Sequence, residues 1–372
     1  MPTLFKTRFM AILILAAALV AGGIWWWNYV GRRTIPPPVA SNDNIPLAST
    51  VVQNLEIPWE MAFLPDGRII LTELPGRVRL VDASSKIQNQ PILTIEDVAA
   101  VGDGGLLGMT LHPNFQTNGW IYFFYTYRSG TGLANRVVRY TFQGSSLTNP
   151  IAIIEGIPGG NIHDGGRIKF GPDGFLYICT GETGVEILAQ DLNSLAGKIL
   201  RLKDDGSIPS SNPFPNSAIY SYGHRNPEGL AWDGHGRLWE TEQGPNGQDE
   251  INIIEPGKNY GWPLVHGEDT SPGTISPVFQ SGSDTWSPSG LTLFKGSLFF
   301  TGLNSQSLYK FDIQSSQITR YLSGDLGRLR DVVPGPNGAL YLLTSNSDGR
   351  GIPLSGDDRL IRINPEKLVP IT

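Results

Sequence analysis

A single cysteine, Cys179, leaves this chain without any possible intrachain disulfide. It ends the apolar run Phe175-Leu176-Tyr177-Ile178-Cys179, so a small core residue on a strand is the expected reading. Charge is also scarce. Asp, Glu, Lys and Arg make up 17% of the 372 residues, and the formal net charge is −6. No Lys/Arg run occurs beyond the N-terminus, which argues against a surface that tracks phosphates and so against nucleic-acid binding. No histidine pair has zinc-ligand spacing, and neither a Walker loop nor a GxGxxG fingerprint is present. His112, His235 and His266 read as turn or loop residues. What the chain has in quantity is glycine, 45 residues, and proline, 28. With 40% apolar residues and aromatics throughout, that is the composition of many short strands joined by tight turns. A disordered chain would lack the apolar fraction.

Residues 9–29 form the one long apolar run, with Lys6 and Arg8 before it and Arg32 and Arg33 after it. About 20 apolar residues suffice to span a bilayer as a helix. Trp25, Trp26 and Trp27 close the run where an interfacial aromatic belt belongs. The small residues Ala21-Gly22-Gly23 offer the competing reading, a cleaved signal peptide. The run continues past them into tryptophans, which favours a retained anchor. The chain therefore divides into a membrane anchor or signal segment, residues 1–33, and a linker, residues 34–44, stiffened by Pro36, Pro37 and Pro38. A globular domain, residues 45–372, follows. Its expected location is outside the cytoplasm, periplasmic or at the cell surface, attached to the membrane or secreted.

The globular part repeats one unit: an apolar strand, a turn, and a second strand rich in aromatics. The clearest copies centre on Pro65-Asp66-Gly67, Pro172-Asp173-Gly174, Asp233-Gly234 and Pro336-Asn337-Gly338. Looser ones centre on His112-Pro113-Asn114 and Lys295-Gly296. Asp-Gly and Asn-Gly are hairpin signals because type I′ turns require positive φ. Six units at a period of roughly 50 residues predict an all-β, six-bladed β-propeller, the repeat burying what a lone hairpin cannot. Residues 359–363 and 49–55 are expected to share one blade and close the ring. A two-sheet β-sandwich is the alternative, disfavoured by the regular period.

Between the repeats lie four loops dense in glycine and polar residues. They read Gly102-Asp103-Gly104-Gly105-Leu106-Leu107-Gly108 and Asn161-Ile162-His163-Asp164-Gly165-Gly166-Arg167. The other two are Gly223-His224-Arg225-Asn226-Pro227-Glu228-Gly229 and Glu242-Gln243-Gly244-Pro245-Asn246-Gly247-Gln248-Asp249-Glu250-Ile251-Asn252. Asn259-Tyr260-Gly261-Trp262-Pro263 follows the last. In this order and spacing the chain resembles the glucose/sorbosone dehydrogenase family, from about residue 55 to about residue 363. The resemblance implies a sugar oxidoreductase that uses pyrroloquinoline quinone (PQQ) and Ca2+, takes an aldose to a lactone, and passes electrons to an external acceptor.

Residue by residue, His163 matches the family's catalytic histidine, and an imidazole suits removal of the hydroxyl proton. Arg225 matches the arginine at the quinone oxygen, where a fixed cation stabilises developing charge. Asn226 and Thr285 match further cofactor contacts. Arg328 and Arg330 match arginines that bind the cofactor carboxylates, and their alternate spacing puts both on one strand face. Three guanidinium groups gathered without an anion are expected to repel one another. The resemblance implies Ca2+ ligation by the carbonyls of Gly244 and Pro245. Asp249, Glu250 and Tyr260 are expected to support that loop or hold a second, structural Ca2+; a solvated acidic turn reads Asp249 equally well. Two cofactor-binding positions depart from the glucose-oxidising branch: Asp103 stands where that branch has a glutamine touching the quinone, and Asn304 about where it has a cofactor-binding lysine. These departures keep open a non-enzymatic propeller that binds a carbohydrate or protein. A Ca2+-dependent lactonase-like hydrolase is the third reading, disfavoured because the loops supply arginines.

Overall fold

The computed structural model describes residues 46–371. The anchor or signal segment and the linker lie outside the described residues. No helix among the described residues is long and apolar enough to cross a membrane.

Six four-stranded antiparallel sheets build the molecule. Numbered along the chain, the first blade comprises Pro58–Phe63, Ile69–Glu73, Arg77–Val81 and Leu93–Thr94. The second to fifth blades open with Leu106–Leu111, Ile168–Phe170, Pro227–Trp232 and Pro288–Phe294. The sixth blade takes Leu329–Pro334, Leu340–Thr344 and Leu360–Ile363 and completes itself with Ala48–Val52, paired antiparallel to Leu360–Ile363. The ring closes as the sequence predicts, and the fold is the six-bladed propeller rather than a sandwich. Each predicted hairpin is the first strand pair of a blade.

The turns differ in detail from expectation. Of the six predicted hairpin turns, Lys295-Gly296 alone carries positive φ at two consecutive residues, 49° and 80°, as a type I′ turn demands. At Pro65-Asp66-Gly67 only Gly67 is left-handed, at 85°, and its N–H donates to the Leu64 carbonyl at 2.9 Å. Proline before aspartate fixes a negative φ, so those hairpins turn over longer loops.

Strand alternation puts apolar side chains on both faces of the inner strands, and blades pack face to face through them. Between the third and fourth blades lie Tyr177, Cys179, Ile199, Leu230, Leu238 and Ile254. Cys179 is the buried core residue expected. The channel is closed by an ion cluster on the first strands. Arg167, 1% exposed, meets Glu60 at 2.9 Å and Asp331 at 3.2 Å, and its Nε donates to the Glu228 carbonyl. Lys169 donates to the carbonyls of Leu230 and Leu291. Backbone N–H groups of Met61 and Met109 donate to Asp331 and Glu60. Four polar side chains thus tie together the inner strands of all six blades.

Candidate active site

Above this plug the inter-blade loops line a cavity of about 140 Å3. Its wall includes Trp59, Asp103, Asp164, Glu228, Arg328, Arg330 and Arg350. Trp59 forms a flat surface between two cations, with Arg167 4.3 Å and Arg330 5.6 Å from its ring centroid. Residues of four separated sequence motifs therefore meet at one mouth.

His163 stands at the edge of this space, next to the wall residues Asp164 and Gly165. Its backbone is held in the left-handed region, φ 57°. Three neighbours fix it there. Its N–H donates to Asp103 at 3.1 Å, its carbonyl accepts from Thr183 at 3.1 Å, and its Nδ1 contacts the Glu182 carboxylate. Glu182 is 1% exposed, and its backbone N–H donates to the Arg225 carbonyl at 2.9 Å. The segment Thr180-Gly181-Glu182-Thr183-Gly184 thus joins the histidine loop to the arginine loop. Gly181 permits the contact, since a Cβ there would lie 1.9 Å from the His163 carbonyl oxygen. A carboxylate on Nδ1 selects the tautomer that leaves Nε2 as the free base.

The arginines are not gathered without anions, which corrects the expected repulsion. Arg328 pairs with Asp348 at 2.9 Å, Arg330 with Glu228 at 2.8 Å, and Arg350 with Asp103 at 2.6 Å. Asp348 also approaches Arg330, at 4.0 Å. Asp103 is therefore accommodated by a fourth guanidinium as well as by the His163 N–H. Arg225 donates from Nη1 to the Gln243 carbonyl at 3.0 Å and lies over the Trp262 ring at 5.3 Å. The Nε groups of Arg225 and Arg330 have no partner among the described residues. Asp164 accepts from Asn135 and Gly160 on one oxygen, while the other has no partner. Burial pushes its carboxyl up to about 7.

The remaining predicted residues are placed as follows. Asn304 lines the cavity. Thr285 is half-buried, its carbonyl accepting from the Asn304 amide at 3.5 Å, and Ser287 rather than Thr285 forms the wall. Asn226 is 1% exposed and works inside the protein, accepting from the Gly165 N–H and donating to Glu228. The carbonyls of Gly244 and Pro245 accept no hydrogen bond among the described residues. Asp249 is neither a solvated turn nor a free ligand. At 1% exposure it accepts from the N–H groups of Gly244, Trp286 and Ser287, pinning two loops together. The Tyr260 hydroxyl is likewise committed, donating to the Ile253 carbonyl at 2.6 Å and accepting from the Glu255 N–H. Glu250 is buried and accepts from the Gly267 N–H and the Asn252 amide. Each of the three is bonded to its own set of partners. Sequence reasoning gave no role to Glu182, Glu228, Asp348 or Arg350. Glu182 had one signal: a charged residue between glycines straight after a buried strand.

Known proteins share this family and fold. The profile of the family described as Glucose / Sorbosone dehydrogenase matches residues 55–361. The PQQ-bound aldose sugar dehydrogenase of Streptomyces coelicolor superposes with a TM-score of 0.80 at 40% identity, covering 86% of this chain and 99% of that one. Aldose sugar dehydrogenase YliI of Escherichia coli is 35% identical over 338 residues, 81% of this chain and 90% of that protein. Quinoprotein glucose dehydrogenase B of Acinetobacter calcoaceticus is 36% identical over 250 residues, 58% of this chain and 52% of that protein.

Proposed function

The chain belongs to the glucose/sorbosone dehydrogenase family, and from that premise we propose that it is a PQQ-dependent aldose dehydrogenase that converts the C1 hemiacetal to a lactone. The observation that carries the reading is the His163–Glu182 pair at the rim of an arginine-lined cavity. Oxidation at C1 removes the hydroxyl proton and two electrons with the C1 hydrogen. His163 takes the proton at Nε2, while the buried Glu182 carboxylate holds Nδ1–H and stabilises the imidazolium that forms.

The cavity suits an anionic planar cofactor. Arg328, Arg330 and Arg350 would hold its carboxylates, and the unpartnered Nε of Arg330 has a donor to spare. Arg225 would stabilise the oxygen on which charge develops. When bound, PQQ supplies the two-electron acceptor and Ca2+ the Lewis acid that polarises it. Of the expected Ca2+ ligands, the Gly244 and Pro245 carbonyls remain available, whereas Asp249 and Tyr260 are committed elsewhere. An external carrier would then reoxidise the cofactor. The apolar run at residues 9–29 supports export and membrane attachment.

The test adds PQQ and Ca2+ to apo-protein and follows dye reduction with a panel of aldoses. Wild type should turn over. His163→Ala should still bind PQQ but lose about 10²–10⁴ in kcat, the usual worth of a general base. Saturating PQQ that leaves the melting temperature and the quinone spectrum unchanged would remove this reading.

A further inference from the structure

A second polar cluster lies outside the sugar-oxidising cavity. In the fourth blade Glu240 pairs across strands with Asn252, and Glu242 with Glu250. All four side chains share the face that carries Leu238 and Ile254, which packs against the third blade. His224 enters from the loop joining the two blades. His224 and Glu240 are 0% exposed, Asn252 1%, Glu242 4% and Glu250 5%. A run of apolar side chains between two sheets thus ends in three carboxylates and an imidazole.

Among the described residues the one side chain within ion-pair distance to balance that charge is His224, whose Nδ1 lies 3.3 Å from Glu242 and is cationic only when protonated. Two carboxylates directly opposite on neighbouring strands repel. Glu242 accepts the Arg225 N–H at 3.1 Å, and the Asn252 amide donates to Glu240 at 3.1 Å and Glu250 at 3.2 Å. No Lys or Arg side chain forms an ion pair with any of the three carboxylates among the described residues. Three buried atoms here have no hydrogen-bond partner among the described residues, two of them outside the acids: His224 Nδ1, Asn252 Oδ1 and Glu240 Oε1. Burying such atoms unsatisfied is costly, and each is a lone-pair donor.

One ligand atom from each of His224, Glu240 and Glu242 lies within 4.8 Å of the others. That spread matches opposite ligands of one coordination sphere, at metal–ligand distances of about 2.0–2.4 Å. The outer shell is also in place. His224 Nε2 is 2.8 Å from the Ser221 hydroxyl, a partner that can accept the Nε2 proton and so free Nδ1 to ligate, and the Tyr260 ring stacks on the imidazole at 4.8 Å.

We propose that His224, Glu240 and Glu242 bind a divalent cation between the third and fourth blades, with Asn252 Oδ1 as an adjacent donor. One imidazole with carboxylate oxygens suits Mn2+ or Zn2+ ahead of Ca2+. None of the three ligands lines the cavity, so the ion is structural. It fixes the loop that carries Arg225, because His224 immediately precedes that residue and Glu242 accepts its backbone N–H.

The test is anomalous diffraction from crystals of the full chain soaked in Mn2+, together with metal analysis and melting curves before and after chelation. Wild type should show a peak bounded by His224 Nδ1, Glu240 and Glu242. Chelation should lower its melting temperature, and Mn2+ or Zn2+ should restore it. Glu240→Gln should lose about one metal equivalent per chain, along with the chelator response. If Glu240→Gln does not fold, the same soak and chelation on wild type still decide. No peak at saturating Mn2+, or a melting temperature indifferent to chelation and to added metal, would show that shared protons hold the cluster and would overturn the proposal.

Discussion

Replacing Arg167 by methionine tests whether the ion cluster closing the channel holds the blades together. The guanidinium makes contacts of 2.9 Å to Glu60, 3.2 Å to Asp331 and 2.8 Å to the Glu228 carbonyl, at 1% exposure. Methionine keeps most of the volume but leaves two carboxylates and a carbonyl facing one another. Removing one partner of a buried ion pair costs about 3–5 kcal/mol, and an orphaned carbonyl about 1–3 more. Lys169 cannot substitute, since its ammonium already serves two carbonyls. A loss of about 5 kcal/mol, at about 2 °C per kcal/mol for a domain of this size, lowers the melting temperature by roughly 10 °C. The deficit should depend on pH in a fixed direction. Burial already raises Glu60 to about 7, from the usual carboxylate value, even with Arg167 present. Without the guanidinium it rises further. A carboxyl raised in the folded state binds protons there at pH values where the unfolded chain does not. Stability of Arg167→Met relative to wild type therefore improves as pH falls from 8 to 5. Scanning calorimetry of both proteins at pH 8, 6.5 and 5 reads this directly. A deficit below about 1 kcal/mol, or one independent of pH, would refute the reasoning, because cavity formation alone carries no such pH dependence.

Three further outcomes are expected. Glu182→Gln should reduce kcat by about 10–100-fold with little change in melting temperature, since it removes a charge-assisted bond to His163 but keeps an acceptor; steady-state kinetics with PQQ-loaded protein checks it. Asp164, raised to about 7 by burial, takes up a proton on folding between the ordinary carboxylate range and pH 7, so its ionised form opposes folding above that window. The melting temperature of Asp164→Asn relative to wild type should rise from pH 5 to pH 8, and a gap that stays constant would count against an ionisable Asp164. Full-length protein should sediment with membranes and resist carbonate extraction, whereas a chain beginning at Asn44 should be soluble and folded; a mature N-terminus near Gly23 in native material would show a cleaved signal peptide instead.

The propeller was legible in the sequence because its unit is local. A turn such as Pro172-Asp173-Gly174 and the strands beside it are decided within about ten residues by φ preferences and alternation, and six such units have few other ways to bury their faces. The closure of residues 48–52 onto 360–363 followed from the same count. The histidine and arginine loops were legible too, because their motifs are contiguous. Charge pairing was not. Arg350 meets Asp103 across 247 positions and Arg330 meets Glu228 across 102, and no periodicity encodes which loops face one another over a ring. Asp249 shows the limit most clearly. In sequence it is an acidic turn residue, and only the approach of the Trp286 and Ser287 N–H groups makes it a pin between two loops. The buried set of His224, Glu240 and Glu242 has the same origin. Two of its members alternate along one strand, but the third comes from another loop, and only the packing of two blades removes water from all three.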